Sequence, residues 1–128
     1  MAMISKILIV DDSPVSRKIM KTCIPEDREY ELFEAGDGQT GIDKYQQISP
    51  DLTFMDLTMP VMDGMQALQE IIKIDPQAIV IVCTADVQMK TIFKVMNMGA
   101  LMVVRKPINK QAIDDALRKA EDKLKNIK

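Results

Sequence analysis

Ile7-Leu8-Ile9-Val10-Asp11-Asp12-Ser13-Pro14 places a strand directly before a helix. Four consecutive apolar residues with no polar alternation form the pattern of a strand buried on both faces. Two acids end the run. Ser13 then caps a helix, and Pro14 occupies its first position, where a missing N–H costs nothing. Val15, Ile19 and Cys23 share one face of that helix, and Pro25 ends it.

The same unit recurs outward from this stretch. Further short apolar runs are Tyr30–Phe33, Leu52–Met55, Ile79–Cys83 and Leu101–Val104. Helical patterns separate them. Asp37 caps the second helix. The third covers Gly64 to Ile74, with Met65, Leu68, Ile71 and Ile72 inward, and stops at Asp75-Pro76. The fourth covers Val87 to Met98 and ends at Gly99, a natural terminator. The fifth starts after Asn109 and carries Ile113, Ala116, Leu117, Ala120 and Leu124 on one face. Strands and helices alternating in this way predict an α/β fold, (βα)5, a doubly wound five-stranded parallel sheet with helices on both sides. No repeat, low-complexity stretch or linker interrupts it.

The totals agree with one compact domain. The chain has 128 residues, 47% hydrophobic and 28% charged. A domain of this length buries roughly two thirds of its unfolded surface and needs neither disulfide nor metal to fold. Cys23 and Cys83 lie among apolar neighbours and are expected as buried free thiols. With no His, Cys/His zinc sites and His acid–base catalysis are excluded. A net charge of −2 gives no general reason to expect nucleic acid or a membrane surface as a partner. No signal peptide and no membrane-length apolar run is seen, so the expected location is cytoplasmic.

In parallel sheets of this kind, ligands bind beyond the carboxyl ends of the strands. Those ends carry Asp11-Asp12, Asp56, Thr84 and Lys106. Alone, each has an ordinary explanation. An Asp at a strand end caps a helix or forms a turn, a Thr supplies a turn hydroxyl, and a Lys is a solvated charge. Brought to one edge, they make a cluster of carboxylates that repel one another until a hard cation neutralises them. Mg²⁺ fits, because it takes oxygen ligands and is held by one or two carboxylates plus phosphate oxygens. A carboxylate beside that ion can attack a phosphoryl group and form an aspartyl phosphate. Lys106 can neutralise the phosphoryl oxygens.

The matching segments are Ile7-Leu8-Ile9-Val10-Asp11-Asp12, Asp56-Leu57-Thr58-Met59-Pro60-Val61-Met62-Asp63-Gly64, Thr84-Ala85 and Lys106-Pro107. On these, in this order, the chain resembles the response regulator receiver family of two-component signalling along its whole length, 1–128, and most of all its single-domain, chemotaxis-type members. The resemblance implies the flavodoxin-like strand order 2-1-3-4-5. It implies Asp56 as phosphoacceptor, Asp12 as a direct Mg²⁺ ligand, Asp11 acting mostly through water, and the Thr58 carbonyl as a further ligand. Thr84 would bind a phosphoryl oxygen and couple phosphorylation to a change of shape. Lys106 would pair with the carboxylate or its phosphate, small Ala85 would keep the site open, and Pro107 would follow a cis bond. The implied phosphodonor is a histidine kinase and the implied output a protein contact made by the fourth helix, fifth strand and fifth helix. The receiver would be a signalling protein that promotes only its own phosphorylation and dephosphorylation.

Gly36-Asp37-Gly38-Gln39-Thr40-Gly41 fits G-x-G-x-x-G between a strand and a helix, the outline of a dinucleotide site. Asp37 opposes it by setting a negative charge against a pyrophosphate. A phosphohydrolase of the haloacid dehalogenase type needs a second acid two residues after its nucleophile, where this chain has Thr58. A receiver used only as an unphosphorylated interaction module is disfavoured by its intact acceptor residues.

The chain also departs from the family. Three positions before Lys106 the family usually has Tyr or Phe, and here stands Val103. Arg105 shares its side of the fifth strand. With Lys90 and Lys94, Arg105 either makes the output face locally basic or is an ordinary solvated charge. There are 11 Met; Met89, Met96, Met98 and Met102 are expected mainly as core. Lys119, Lys123, Lys125 and Lys128 mark the last helix, and no output domain follows in the sequence given.

Overall fold

The computed structural model describes residues 3–57 and 63–127. The elements are β1 (Lys6–Val10), α1 (Pro14–Cys23), a 3-10 turn (Glu26–Arg28), β2 (Glu31–Ala35), α2 (Gly38–Ile48) and β3 (Leu52–Asp56). They continue with α3 (Gly64–Ile74), β4 (Val80–Thr84), α4 (Met89–Met98), β5 (Met102–Arg105) and α5 (Lys110–Ile127). The strands form one parallel sheet in the order β2-β1-β3-β4-β5. The expected doubly wound fold and strand order are therefore found. No helix among the described residues is long and apolar enough to cross a membrane.

Successive strand residues face opposite sides of a sheet, so each apolar run feeds two cores. Ile7 and Ile9 point with Phe54, Ile81 and Val104 into the core that Met20 of α1 and Ile113, Leu117 and Ala120 of α5 close. Leu8 and Val10 point with Met55, Val80 and Val82 into the core closed by Ile42 of α2, Leu68 and Ile71 of α3 and Val95 of α4. Register levels the carboxyl ends: Val10 pairs with Met55, Asp56 with Cys83, and Thr84 with Arg105. Burial on both faces explains why continuous hydrophobicity marks these strands.

Ser13 and Asp37 cap their helices as expected, and Asp63 caps α3 as well. Ser13 Oγ accepts from Ser16 N, Asp37 Oδ1 from Thr40 N and Asp63 Oδ1 from Gln66 N. Cys23 and Cys83 are buried free thiols. Met65 and Ile72 are half-buried against the second core, alongside fully buried Leu68 and Ile71.

Several expectations need correction. The buried stripe of α1 runs through Met20 and Cys23, whereas Val15 and Ile19 are 67% and 45% exposed. The helix is rotated toward the sheet through Met20, which shares the core with Ile113 and Leu117. β2 lies further along the chain than Tyr30–Phe33, because the 3-10 turn and left-handed Glu29 (φ 56°) consume the residues before Glu31. α4 begins at Met89, since residues 85–88 form a loop. Met89 and Met96 are 60% and 40% exposed and not core, while Met98 and Met102 are half-buried against the two cores.

Candidate functional site

The site forms where β1, β3, β4 and β5 end. Asp11 follows β1, Asp56 ends β3, Thr84 ends β4 and Lys106 follows β5. Asp11, Asp56 and Thr84 are buried, and Asp12 is exposed. One carboxylate oxygen from each of Asp11, Asp12 and Asp56 lies within 4.8 Å of the others. Such an all-oxygen set, with two buried acids and one at the surface, fits a hard divalent cation that keeps part of its water shell. The Thr58 carbonyl, the further ligand implied by the resemblance, lies outside the described residues.

Lys106 bridges the acids. Its Nζ donates to Asp11 Oδ2 at 2.9 Å and lies 3.2 Å from Asp56 Oδ1. Burial works against its charge. The hydrogen bond to Asp11 and the negative charges of Asp56 and Asp11 outweigh burial and hold its pKa above 10.5. The Lys106–Pro107 peptide is cis, as expected.

Asp11 is held at every polar atom. Its N donates to Ala35 O (3.1 Å), Oδ1 accepts from Ser13 N (2.9 Å), Oδ2 accepts from Lys106, and its carbonyl accepts from Arg17 Nη1 (2.6 Å). Arg17 carries no signal in the sequence, because its partner is a backbone oxygen that only the fold brings near. Asp86 escaped notice for a similar reason. Its N–H donates to Thr84 Oγ1 at 3.0 Å, and its carboxylate accepts from Gln88 N and Thr91 Oγ1.

A cavity of about 310 Å³ adjoins the cluster, lined by Asp56 and Lys106 and by apolar Phe54, Cys83 and Ala85, among others. Ala85 is exposed and leaves the approach open. Burial pushes the Cys83 thiol up to about 12, so it is no nucleophile at neutral pH. The glycine-rich stretch 36–41 has another use. Asp37 itself fills the start of α2, and a Cβ on Gly41 would lie 2.9 Å from Val10 Cγ1. Those features serve helix capping and close helix–strand packing, and the carboxylate stands where a pyrophosphate would bind.

Val103 is half-buried against the second core. Arg105, Lys90 and Lys94 are exposed, as are Met89, Phe93 and Met96 of α4.

The chain is similar in sequence and fold to known proteins. Residues 7–118 match the family described as response regulator receiver domain. The chemotaxis protein CheY of Thermotoga maritima is 37% identical over 114 residues, covering 89% of this chain and 95% of that protein. CheY of Bacillus subtilis is 38% identical over 117 residues, covering 91% and 98%. Among solved structures, a receiver domain protein from Clostridium thermocellum superposes with a TM-score of 0.87 at 28% identity, covering 97% of this chain and 99% of that one. The CheX-CheY-BeF3-Mg complex of Borrelia burgdorferi contains a chain with a TM-score of 0.84 at 27% identity, covering 88% and 86%. With the matched span, the identity to these relatives and the sheet order in agreement, the chain belongs to the response regulator receiver family of two-component signalling.

Proposed function

We propose that this chain is a phosphorylation-activated receiver that takes a phosphoryl group onto Asp56 with Mg²⁺ bound, and signals through a protein contact of α4, β5 and α5. The observation that carries the proposal is the convergence of the Asp11, Asp12 and Asp56 carboxylates within 4.8 Å, with Lys106 reaching both Asp11 and Asp56.

Asp12 would hold the metal directly, Asp56 would share it, and Asp11 would act mostly through water. The ion would supply charge neutralisation for the phosphoryl oxygens. Asp56 attacks phosphorus through a carboxylate oxygen. The bond from phosphorus to the donor's leaving atom breaks, and that atom departs with the electron pair. Lys106, charged and held by Asp11, is placed to follow the new phosphoryl oxygens. Thr84, one residue beyond the level of Asp56 on the neighbouring strand, would donate its hydroxyl hydrogen to another of those oxygens. Water attack on the same phosphorus would reverse the modification, so the receiver would catalyse only its own gain and loss of the group.

The phosphodonor would be a histidine kinase and the target a protein. In the Borrelia complex a receiver relative is held with BeF3, a stand-in for a phosphoryl group, Mg and CheX. The exposed Met89, Phe93 and Met96, beside Lys90, Lys94 and Arg105, give this chain a surface of mixed apolar and basic character for such a contact. The balanced net charge of −2 gives no general reason to expect nucleic acid or a membrane surface as a direct partner.

Intact-mass measurement after incubation with a small acyl phosphate and Mg²⁺ tests the reading. Wild type should gain one phosphoryl group and Asp56→Asn none. Labelling that persists in the variant would place the acceptor elsewhere.

A further inference from the structure

Resting on the metal site proposed above, the geometry points to Arg17 as a positioning residue that presets the acidic turn for its cation. Its guanidinium holds two partners from different elements. Nη1 donates to the Asp11 carbonyl at 2.6 Å, and Nε donates to Glu34 Oε1 at 2.9 Å. Glu34 lies on β2 opposite Ile9 and is held in turn by Lys21 Nζ at 2.9 Å. Arg17 is itself fixed in α1, where its N–H donates to Ser13 O at 3.0 Å. One side chain thus ties α1, β2 and the turn after β1 together, and only 18% of it is exposed.

The link to the metal runs through one peptide plane. The Asp11 carbonyl and the Asp12 N–H belong to the same planar unit. Fixing the oxygen fixes the tilt of that plane and the direction from which the Asp12 side chain leaves. Asp12 is exposed, so packing does little to orient it. Arg17 therefore does for Asp12, through the backbone, what the Ser13 N–H and Lys106 do for Asp11 through its carboxylate. A planar guanidinium with a fixed fork of donors can hold a carbonyl and a carboxylate together; a lysine ammonium is a single point charge on a flexible stem. Partners that orient metal ligands are typically worth about 10–100-fold in affinity.

The test is a Mg²⁺ titration by NMR on wild type, Arg17→Met, Arg17→Lys and Lys21→Met, with hydrogen exchange of the Ser13 amide followed in metal-free protein. Arg17→Met keeps the apolar stem and removes the donors. It should weaken Mg²⁺ about tenfold and speed exchange at Ser13 before metal is added. Arg17→Lys keeps a charge for Glu34 and should fall between Arg17→Met and wild type; it also serves if Arg17→Met folds poorly. Lys21→Met removes the other cation on Glu34 and should leave Mg²⁺ affinity unchanged. Wild-type affinity in Arg17→Met overturns the inference, and so do equal losses in Arg17→Met and Lys21→Met, which would mean general loosening of α1 against β2. Failure of wild type itself to bind Mg²⁺ would instead remove the metal reading on which the inference stands.

Discussion

Glu34 illustrates how one residue reports on its surroundings. The hydrogen bond from Lys21 is the largest influence on its carboxyl, burial opposes it, and Arg17 adds a second bond; together they hold the pKa below the ordinary 4.5. A carboxyl depressed in the folded state contributes stability above its unfolded pKa and loses it as pH falls through the folded value. Glu34→Gln should therefore cost stability at pH 7, and the gap from wild type should close as pH drops below about 4. Glu34 is 36% exposed, so screening limits the effect to about 0.5 kcal/mol. Urea midpoints at two pH values measure it, and a gap that widens in acid would contradict the pairing. The acid pair differs in the same manner. The Asp11 carboxylate is committed to Ser13 and Lys106, whereas Asp12 faces solvent. Asp12→Ala should weaken Mg²⁺ more than Asp11→Ala; calorimetric titration that gave equal affinities would contradict the assignment. These acids, Thr84 and Lys106 were legible in the sequence because each stands where an apolar run stops. Arg17 was not, because a bond to a carbonyl leaves no mark on residue type.

At the level of elements, the first residue of α3 lies hard against the end of β3. Gly64 N donates to Leu57 O at 2.9 Å, and a Cβ on Gly64 would lie 2.0 Å from Asp56 O and 2.6 Å from Leu57 Cα. Those neighbours are backbone and cannot swing aside. Gly64→Ala must push the end of β3 away from α3, and Asp56 moves with it. The expected cost is more than about 2 kcal/mol in stability, in the range of an overpacked core. A slower gain of the phosphoryl group should accompany it, read by denaturant melts and by intact mass. Unchanged phosphorylation would show that the acceptor does not depend on this contact. Most elements could be read from sequence because burial on both faces leaves nearly unbroken apolar runs at β1, β3 and β4. The misreadings fell where burial is one-sided. On β2, Glu34 stands inside the strand with Arg17 and Lys21 as partners, so apolar content ended the strand at Phe33, short of Ala35. On α1, Val15 and Ile19 obey helical spacing yet face outward, because periodicity identifies a face without saying which of two adjacent faces meets the sheet.

Across the whole molecule, a phosphoryl group gained at Asp56, as proposed, would have to act on a distant surface. Thr84 Oγ1 accepts from Asp86 N, and the Asp86 carboxylate accepts from Gln88 N and from Thr91 Oγ1 in the first turn of α4. A Thr84 hydroxyl drawn toward phosphoryl oxygens must release Asp86 or drag it, and either movement reaches α4. That helix is a ready recipient. Val95 is its one fully buried residue, while Met89 and Phe93 are about 60% exposed, so little packing resists its displacement. β5 is a poor recipient. Val103 is half-buried, and a β-branched valine has few rotamers to exchange. Phosphorylation favours whichever shape contacts the new group better. NMR with and without the beryllium fluoride mimic should therefore show shifts concentrated from Thr84 to Met98, with Val103 keeping its χ1. Asp86→Ala should shorten that reach so that shifts stop before Thr91. If Val103 changes rotamer while α4 stays still, the message travels along β5 and the Thr84–Asp86–Thr91 chain of hydrogen bonds serves only to hold the loop.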